Sequence, residues 1–294
     1  MGQPPDDASG PALRRHARRA GHAPHHHRRR RADDRAGRLS APGVRLDGKR
    51  AIVTGAGGGI GRALVTAFAQ AGARVIGCDR TATAMADLDL AGREVFDLGG
   101  DDLVAVARRI CAAHGAPDIL VNNAGYSRGE TLDTTTDAQI AEEIGINLTA
   151  TVRLTHALLP EMATRGGGAI VFVSSVNGLA HFGNPAYSAA KAGLQAYCRA
   201  VAVEAARHGI RANAVCPGSV RTPAWDHRIA QDPGVVARTT QFYPMGRLVE
   251  PAEVAQAVLF LASPLASGIT GVALPVDAGL TAGNIAFIDT VLGR

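Results

Sequence analysis

The order of apolar runs along the chain predicts an α/β fold, a single doubly wound parallel sheet of about seven strands with helices on both faces. Three observations carry that expectation. Short runs of β-branched and apolar residues recur, separated by stretches with helical periodicity. The first of these runs leads directly into a cluster of glycines. After residue 47 no Pro/Ser-rich linker divides the chain, so its 294 residues accommodate one core and not two.

The first strand is expected at Ala51–Thr54 and feeds the turn Gly55-Ala56-Gly57-Gly58-Gly59-Ile60-Gly61. Behind it, Arg62 to Ala71 reads as a helix with Ala63, Leu64, Ala67 and Phe68 on its apolar face. Strand, turn and helix together point backbone amides and the positive end of a helix at an anion, for which pyrophosphate is the natural ligand. The glycine spacing departs from G-x-G-x-x-G, and no Gly-Lys-Ser/Thr is present to form a nucleoside triphosphate loop. Further strands are expected at Arg74–Cys78, Glu94–Asp97, Ile119–Asn122, Ala169–Ser174, Arg211–Val215 and Val272–Val276. Repeated strand-helix-strand units imply right-handed crossovers, and ligands of such sheets bind beyond the carboxyl ends of the strands. The glycine turn, Asp79, Asn123, Ser175 and Pro217 all fall at such ends. Residues 224 to 247 read as irregular, with Trp225, His227, Phe242, Tyr243 and Met245, and suit a lid over a substrate.

Tyr187 and Lys191 stand four residues apart, which on a helix places a phenol and an ammonium on one face. A phenol titrates near ~10. An adjacent cation favours its ionised form, so the pair is expected to bring a proton donor and acceptor toward working pH.

The pattern Thr54-Gly55-x-x-x-Gly59-x-Gly61 followed by Tyr187-x-x-x-Lys191 resembles the classical short-chain dehydrogenase/reductase (SDR) family. Other pieces follow in the family's order: Asn122-Asn123-Ala124-Gly125, Asn147, Ser174-Ser175 and Pro217-Gly218. The resemblance extends from about residue 46 to 283 and implies a Rossmann-like fold. It implies Asn147, Ser175, Tyr187 and Lys191 as catalytic residues. Ser175 would bond the substrate oxygen and Tyr187 exchange the proton, while Lys191 grips the nicotinamide ribose and Asn147 holds a water in a proton relay. Ser175 is preferred to Ser174 because Ser175-Val176-Asn177-Gly178 matches the family's Ser-x-x-Gly. The resemblance also assigns cofactor contacts to Gly55, Gly59, Ile60, Gly61, Asp79, Arg80, Asp97, Leu98, Asn123, Ala124, Gly125, Pro217, Gly218, Val220 and Thr222, beside Tyr187 and Lys191. Asn177, His181 and Phe182 are expected along the substrate pocket.

Cofactor choice turns on Val75-Ile76-Gly77-Cys78-Asp79-Arg80. A carboxylate at Asp79 accepts bonds from an adenosine ribose and repels a 2′-phosphate, which favours NAD over NADP. Arg80 is the counter-argument, since its guanidinium can hold a phosphate.

The first 46 residues hold eleven Arg, five His and four Asp, a formal charge of +7, whereas the remainder carries 20 basic and 22 acidic groups, or −2. The basic character therefore belongs to residues 1–45, expected to be a disordered Arg/His-rich extension ahead of a catalytic domain over 46–294. Arg28–Arg31 and His25–His27 would alternatively make a nucleic-acid, anionic-surface or metal-binding arm. Val44 stands where such a domain begins, and an internal Val can be read from an alternative start codon. No apolar run reaches the ~18 residues of a membrane span. Cys78, Cys111, Cys198 and Cys216 lack Cys-x-x-Cys spacing, which suits free thiols in a reducing, cytoplasmic setting, and no structural metal site is evident.

The expected function is an NAD-dependent oxidoreductase that interconverts a secondary alcohol and a ketone of small-molecule size, with neither nucleic acid nor membrane as partner. The alternative is an NADPH-dependent reductase of a 3-ketoacyl thioester or small carbonyl compound, for which Arg221 and Arg247 are the available handles. A redox-inactive nucleotide sensor or nucleic-acid binder is the remote alternative, disfavoured because Ser175, Tyr187 and Lys191 are all present. The resemblance further implies a homotetramer, with Leu194, Ala196, Val201 and Ala205 suited to close packing on the second helix. The apolar stretch from Asn284 to Leu292 is expected to pack on a neighbouring subunit or close over a pocket.

Overall fold

The computed structural model describes residues 44–293 together with Gly2. The extension expected over 1–45 therefore lies outside the described residues, except for Gly2, Val44 and Arg45.

The strands are β1 (Arg50–Thr54), β2 (Arg74–Asp79), β3 (Gly92–Val95), β4 (Ile119–Asn122), β5 (Gly168–Val173), β6 (Ile210–Pro217) and β7 (Ala273–Val276). They pair in parallel throughout, in the order β3-β2-β1-β4-β5-β6-β7. Alternation along each strand feeds two apolar layers. Ala51 and Val53 of β1 face one layer and Ile52 the other; in β5, Val171 and Val173 oppose Ile170 and Phe172.

The helices are α1 (Gly59–Gln70), α2 (Leu103–His114), α3 (Asp137–Ile144), α4 (Thr151–Arg165), α5 (Pro185–Glu204), α6 (Pro223–Gln231), α7 (Val235–Thr240), α8 (Pro251–Ala262) and α9 (Ile285–Leu292). On the first face Leu64 and Phe68 of α1 pack with Val254 and Val258 of α8. On the second, Leu103 and Ile110 of α2, Leu154 and Leu158 of α4, and Leu194 and Cys198 of α5 close the core. Burying one such Leu or Phe side chain contributes about 1.5–3 kcal/mol, so both faces are firmly covered. Among the described residues no helix is long and apolar enough to cross a membrane.

The chain departs from expectation in four places. The first helix begins at Gly59, three residues early, because glycines are tolerated where the turn enters it. The third strand ends at Val95. Beyond it, the Asp97 carboxylate accepts the Gly99 N–H (2.8 Å) and Asp101 accepts the Asp97 N–H (2.8 Å), which turns the chain. The segment expected as a lid is helical, not irregular: Pro223 occupies the first turn of α6, where its fixed φ favours a helix start, and α7 follows. The apolar C-terminal stretch forms α9, which leaves Phe287, Val291 and Leu292 exposed.

Candidate active site

Chain direction across the sheet reverses between β1 and β4, because β2 and β3 lie on one side of β1 and β4 to β7 on the other. A crevice opens at such a switch point. Thr54, buried at the end of β1, stitches its two sides. Its hydroxyl accepts the Asn123 and Ala124 N–H groups, each at 3.0 Å, and the Asn123 amide donates to the Thr54 (2.9 Å) and Gly55 (3.1 Å) carbonyls.

The glycine turn is compact enough that a Cβ on Gly61 would stand 2.0 Å from the Gly55 carbonyl oxygen. A Cβ on Gly59 would lie 2.7 Å from the Thr222 side chain, so the turn faces the loop after β6. Gly58 supplies no side-chain cap to α1, and the first turn of that helix holds no acid. The amides of Gly59, Ile60 and Gly61 are thus open to an anion, which fits the pyrophosphate of a dinucleotide.

Asp79, at the end of β2, accepts the Gly57 N–H at 2.9 Å and the Arg80 N–H at 2.7 Å. It both braces the turn and presents a carboxylate in the crevice. Arg62 locks the other side. Its guanidinium donates to the Gly57 (3.0 Å) and Ala84 (2.8 Å) carbonyls and pairs with Asp87 at 2.7 Å. Arg80 is exposed. Asp97 is also exposed, two residues past β3, and Leu98 packs partly into the second core.

The catalytic set assembles at the carboxyl end of β5. Ser175 follows that strand and is 7% exposed; its hydroxyl accepts the Asn177 N–H at 3.1 Å, donates to the Asn177 side-chain oxygen at 3.4 Å, and is near enough to Tyr187 to lower its pKa. Ser174 turns away, donating to the Lys191 carbonyl (3.1 Å) and accepting from Gln195 (3.1 Å), so it is a structural neighbour. On α5, the Lys191 ammonium lies 5.4 Å from the centre of the Tyr187 ring and donates to the Val173 carbonyl at 2.9 Å.

The titration of this pair runs against the expectation from spacing. Burial pushes the Tyr187 phenol up to about 12, opposed by the bond to Ser175 and reinforced by the nearby Glu143 carboxylate. Burial also pulls Lys191 down to about 8. Desolvation of both groups outweighs their mutual influence.

Asn147, fully buried, lies in a π-helical segment, Gly145–Ala150, between α3 and α4. Its amide donates to the Tyr126 and Glu143 carbonyls (both 2.9 Å), and its oxygen accepts the Tyr126 N–H (3.1 Å). All three partners are backbone. A Cβ on Gly125 would meet Asn147 Oδ1 at 2.5 Å and Lys191 Nζ at 3.4 Å, so Gly125 lets these groups converge.

On the far side, Gly218 donates to the Val276 carbonyl at 3.1 Å. Val220 bridges Val249 through its neighbours' groups, the Arg221 N–H to Val249 (2.8 Å) and the Val249 N–H to Ser219 (3.0 Å), which turns its own N–H and C=O away from the bridge. Of the three pocket residues expected between Ser175 and Tyr187, Phe182 lines a cavity and His181 is exposed. Asn177 instead ties the intervening loop to α5, its amide donating to the Gly183 carbonyl (2.8 Å) and the Ser188 hydroxyl (3.0 Å). Arg221 and Arg247 are paired with Asp226 and Glu253.

Sequence reasoning passed over Thr54, Arg62 and Glu143 as site residues. Only Thr54 carried a signal, its place in the glycine motif. Glu143 is 2% exposed and accepts the Arg128 N–H at 3.0 Å.

With that geometry in place, residues 55–281 match a family model described as Enoyl-(Acyl carrier protein) reductase. The chain belongs to the short-chain dehydrogenase/reductase family. It is 38% identical to the galactitol 2-dehydrogenase (L-tagatose-forming) of Cereibacter sphaeroides, over 81% of this chain and 96% of that one. It is 36% identical to the 3-oxoacyl-[acyl-carrier-protein] reductase FabG of Thermotoga maritima, over 81% and 99%. Among solved structures, a short-chain dehydrogenase/reductase family oxidoreductase from Burkholderia thailandensis superposes with a TM-score of 0.80 at 43% identity, covering 84% of this chain and 98% of that one. As an SDR, this protein is an oxidoreductase acting on CH–OH or keto groups with a nicotinamide dinucleotide.

Proposed function

We propose that this SDR is an NAD-dependent dehydrogenase that interconverts a secondary alcohol and a ketone. The observation that carries the reading is the convergence of Ser175, Tyr187 and Lys191 at the end of β5, beside the open amides of α1.

The dinucleotide, when bound, supplies the hydride acceptor or donor. Gly59, Ile60 and Gly61 would hold its pyrophosphate, Asp79 its adenosine ribose, and Val220 and Thr222 its carboxamide. Ser175 bonds the substrate oxygen and orients it. Tyr187 Oη would give its proton to the ketone oxygen in reduction, and in oxidation would take the alcohol proton once its own has passed toward Lys191. A phenol pushed up to about 12 keeps its proton at neutral pH, which suits it as the acid for ketone reduction. Lys191, pulled down to about 8, would pass a proton onward, and Asn147, fixed on the Tyr126 and Glu143 backbone, would hold a water in that relay.

NAD is favoured by Asp79 and by Arg62, whose guanidinium is committed to Asp87 and two carbonyls and so is not free for a 2′-phosphate. A second reading, an NADPH-dependent reductase, rests on exposed Arg80 beside that acid and on the FabG relative. A homotetramer belongs to the proposal. Leu194, Val201 and Ala205 are buried within their own chain, whereas Ala196 is exposed, so the contact would use the outer face of α5, where Val203 is 77% exposed.

The test follows reduced-nicotinamide absorbance with NAD and NADP over a panel of secondary alcohols, for the wild type and Tyr187→Phe. Turnover with NAD that vanishes in the variant supports the reading, and equal turnover in the variant sinks it.

A further inference from the structure

A cavity of about 560 Å³ is walled by Phe182, Val235, Phe242, Tyr243 and Leu280, and is joined to the site by Ser219, which adjoins the loop after β6. Phe182 belongs to the segment between Ser175 and Tyr187, while Val235 and Phe242 belong to the lid of α6 and α7 and the turn after it. Phe182 and Phe242 remain 43% and 49% exposed, an apolar surface at the mouth of a polar site.

The polar groups on the same wall are few and partly engaged. The Thr239 hydroxyl donates to the Val235 carbonyl at 2.8 Å, and the Tyr243 hydroxyl accepts the Ser219 N–H at 2.8 Å. Arg238 is paired with Asp232. Asn284 caps α9, its oxygen accepting the Phe287 N–H at 3.0 Å. The Ser219 and Tyr243 O–H groups, the Asn284 amide N–H groups and the remaining Arg238 N–H groups are the donors this wall can still offer, against five aromatic and aliphatic side chains.

Resting on the dehydrogenase reading above, we propose that this cavity selects secondary alcohols and ketones that carry an apolar alkyl or aryl group, and rejects polyols. A sugar alcohol would lose its water against a wall that is mostly aromatic and aliphatic, and find partners for only some of its hydroxyls. Each further hydroxyl left unpaired costs about tenfold in affinity. An alkyl chain meets aromatic rings instead, and each methylene it buries is worth about fourfold. The volume lies within the range of small-molecule sites, about 300–1,000 Å³.

The test measures kcat/KM for 2-butanone, 2-hexanone and 2-octanone with NADH, and for galactitol with NAD, in the wild type and Phe242→Ala. Thermal shift with the dinucleotide alone and with each ligand added runs in parallel. The expected result is a rise on the order of a hundredfold from 2-butanone to 2-octanone, galactitol below all of them, and about a tenfold smaller 2-octanone to 2-butanone ratio in Phe242→Ala. A flat series, or galactitol as the better substrate, overturns the inference and leaves the dehydrogenase reading standing. If the dinucleotide stabilises the protein but nothing turns over, a larger stabilisation by 2-octanone than by 2-butanone supports the apolar site, and equal shifts overturn it. If neither NADH nor NAD binds, the dehydrogenase reading falls, and this inference with it.

Discussion

Replacing Lys191 by Met is expected to abolish turnover and yet make the folded protein more stable. The ammonium is 3% exposed and its burial lowers its pKa from 10.5 to about 8. At about 1.36 kcal/mol per pKa unit, keeping that charge inside costs on the order of 3 kcal/mol. Met removes the cost but leaves the Val173 carbonyl without its 2.9 Å partner, a loss of about 1 kcal/mol. The net gain near pH 7 is about 2 kcal/mol, or roughly 4–8 °C in Tm for a domain of this size. The sign depends on pH. A lysine whose folded pKa lies below its unfolded one destabilises fully below about pH 8, and the penalty fades as pH rises through 10.5, where the unfolded state also loses the proton. Urea unfolding of both proteins at pH 7 and pH 10, at one protein concentration, measures it. The advantage of Lys191→Met should disappear by pH 10. A variant less stable than the wild type at pH 7, or a gap that does not change with pH, would refute the reasoning.

Other perturbations separate the roles within the site. Tyr187→Phe should lower kcat by about 10²–10⁴ while calorimetry finds dinucleotide affinity unchanged. Gly61→Ala drives a methyl into the Gly55 carbonyl, so stability should fall by about 1–3 kcal/mol, and NAD should no longer raise Tm. Asp79→Ala removes both the ribose acceptor and the Gly57 bond; steady-state kinetics should record NAD KM up about tenfold and a rise in the NADP to NAD preference. An unchanged preference would reduce Asp79 to a brace for the turn.

The sheet was legible because each strand is a short apolar run closed by a turn, and parallel pairing follows from the helices between them. All seven strands form, with every end displaced by two residues or fewer. The third strand is displaced by two residues at both ends because Arg93-Glu94-Val95-Phe96 carries no sharp boundary, and the side-chain bonds of Asp97 and Asp101 close it. In the lid, aromatic and polar residues are mixed without a clean helical stripe, so α6 and α7 were missed although Pro223 is a helix-start signal. The contacts of Arg62 and Glu143 could not be read at all. Each depends on a partner brought close by the fold, Asp87 and Ala84 for the first and the Arg128 amide for the second.

The pair Tyr187 and Lys191 separates what spacing can tell from what it cannot. Four residues on a helix fix a shared face, and the ammonium does stand over the phenol ring. Spacing says nothing about depth, and depth sets the sign of the titration. At an exposed site the lysine's charge would lower the phenol; here both groups lose water together, so the phenol rises to about 12 and the lysine falls to about 8. The two shifts bring the pair toward one neutral state, a protonated phenol beside an amine that exchanges protons near neutral pH. From that state an arriving ketone oxygen can be given a proton, and the amine is placed to help restore it. The same burial that creates this arrangement destabilises the charged lysine, so stability and catalysis oppose each other at a single nitrogen. The Lys191→Met variant measures that opposition directly.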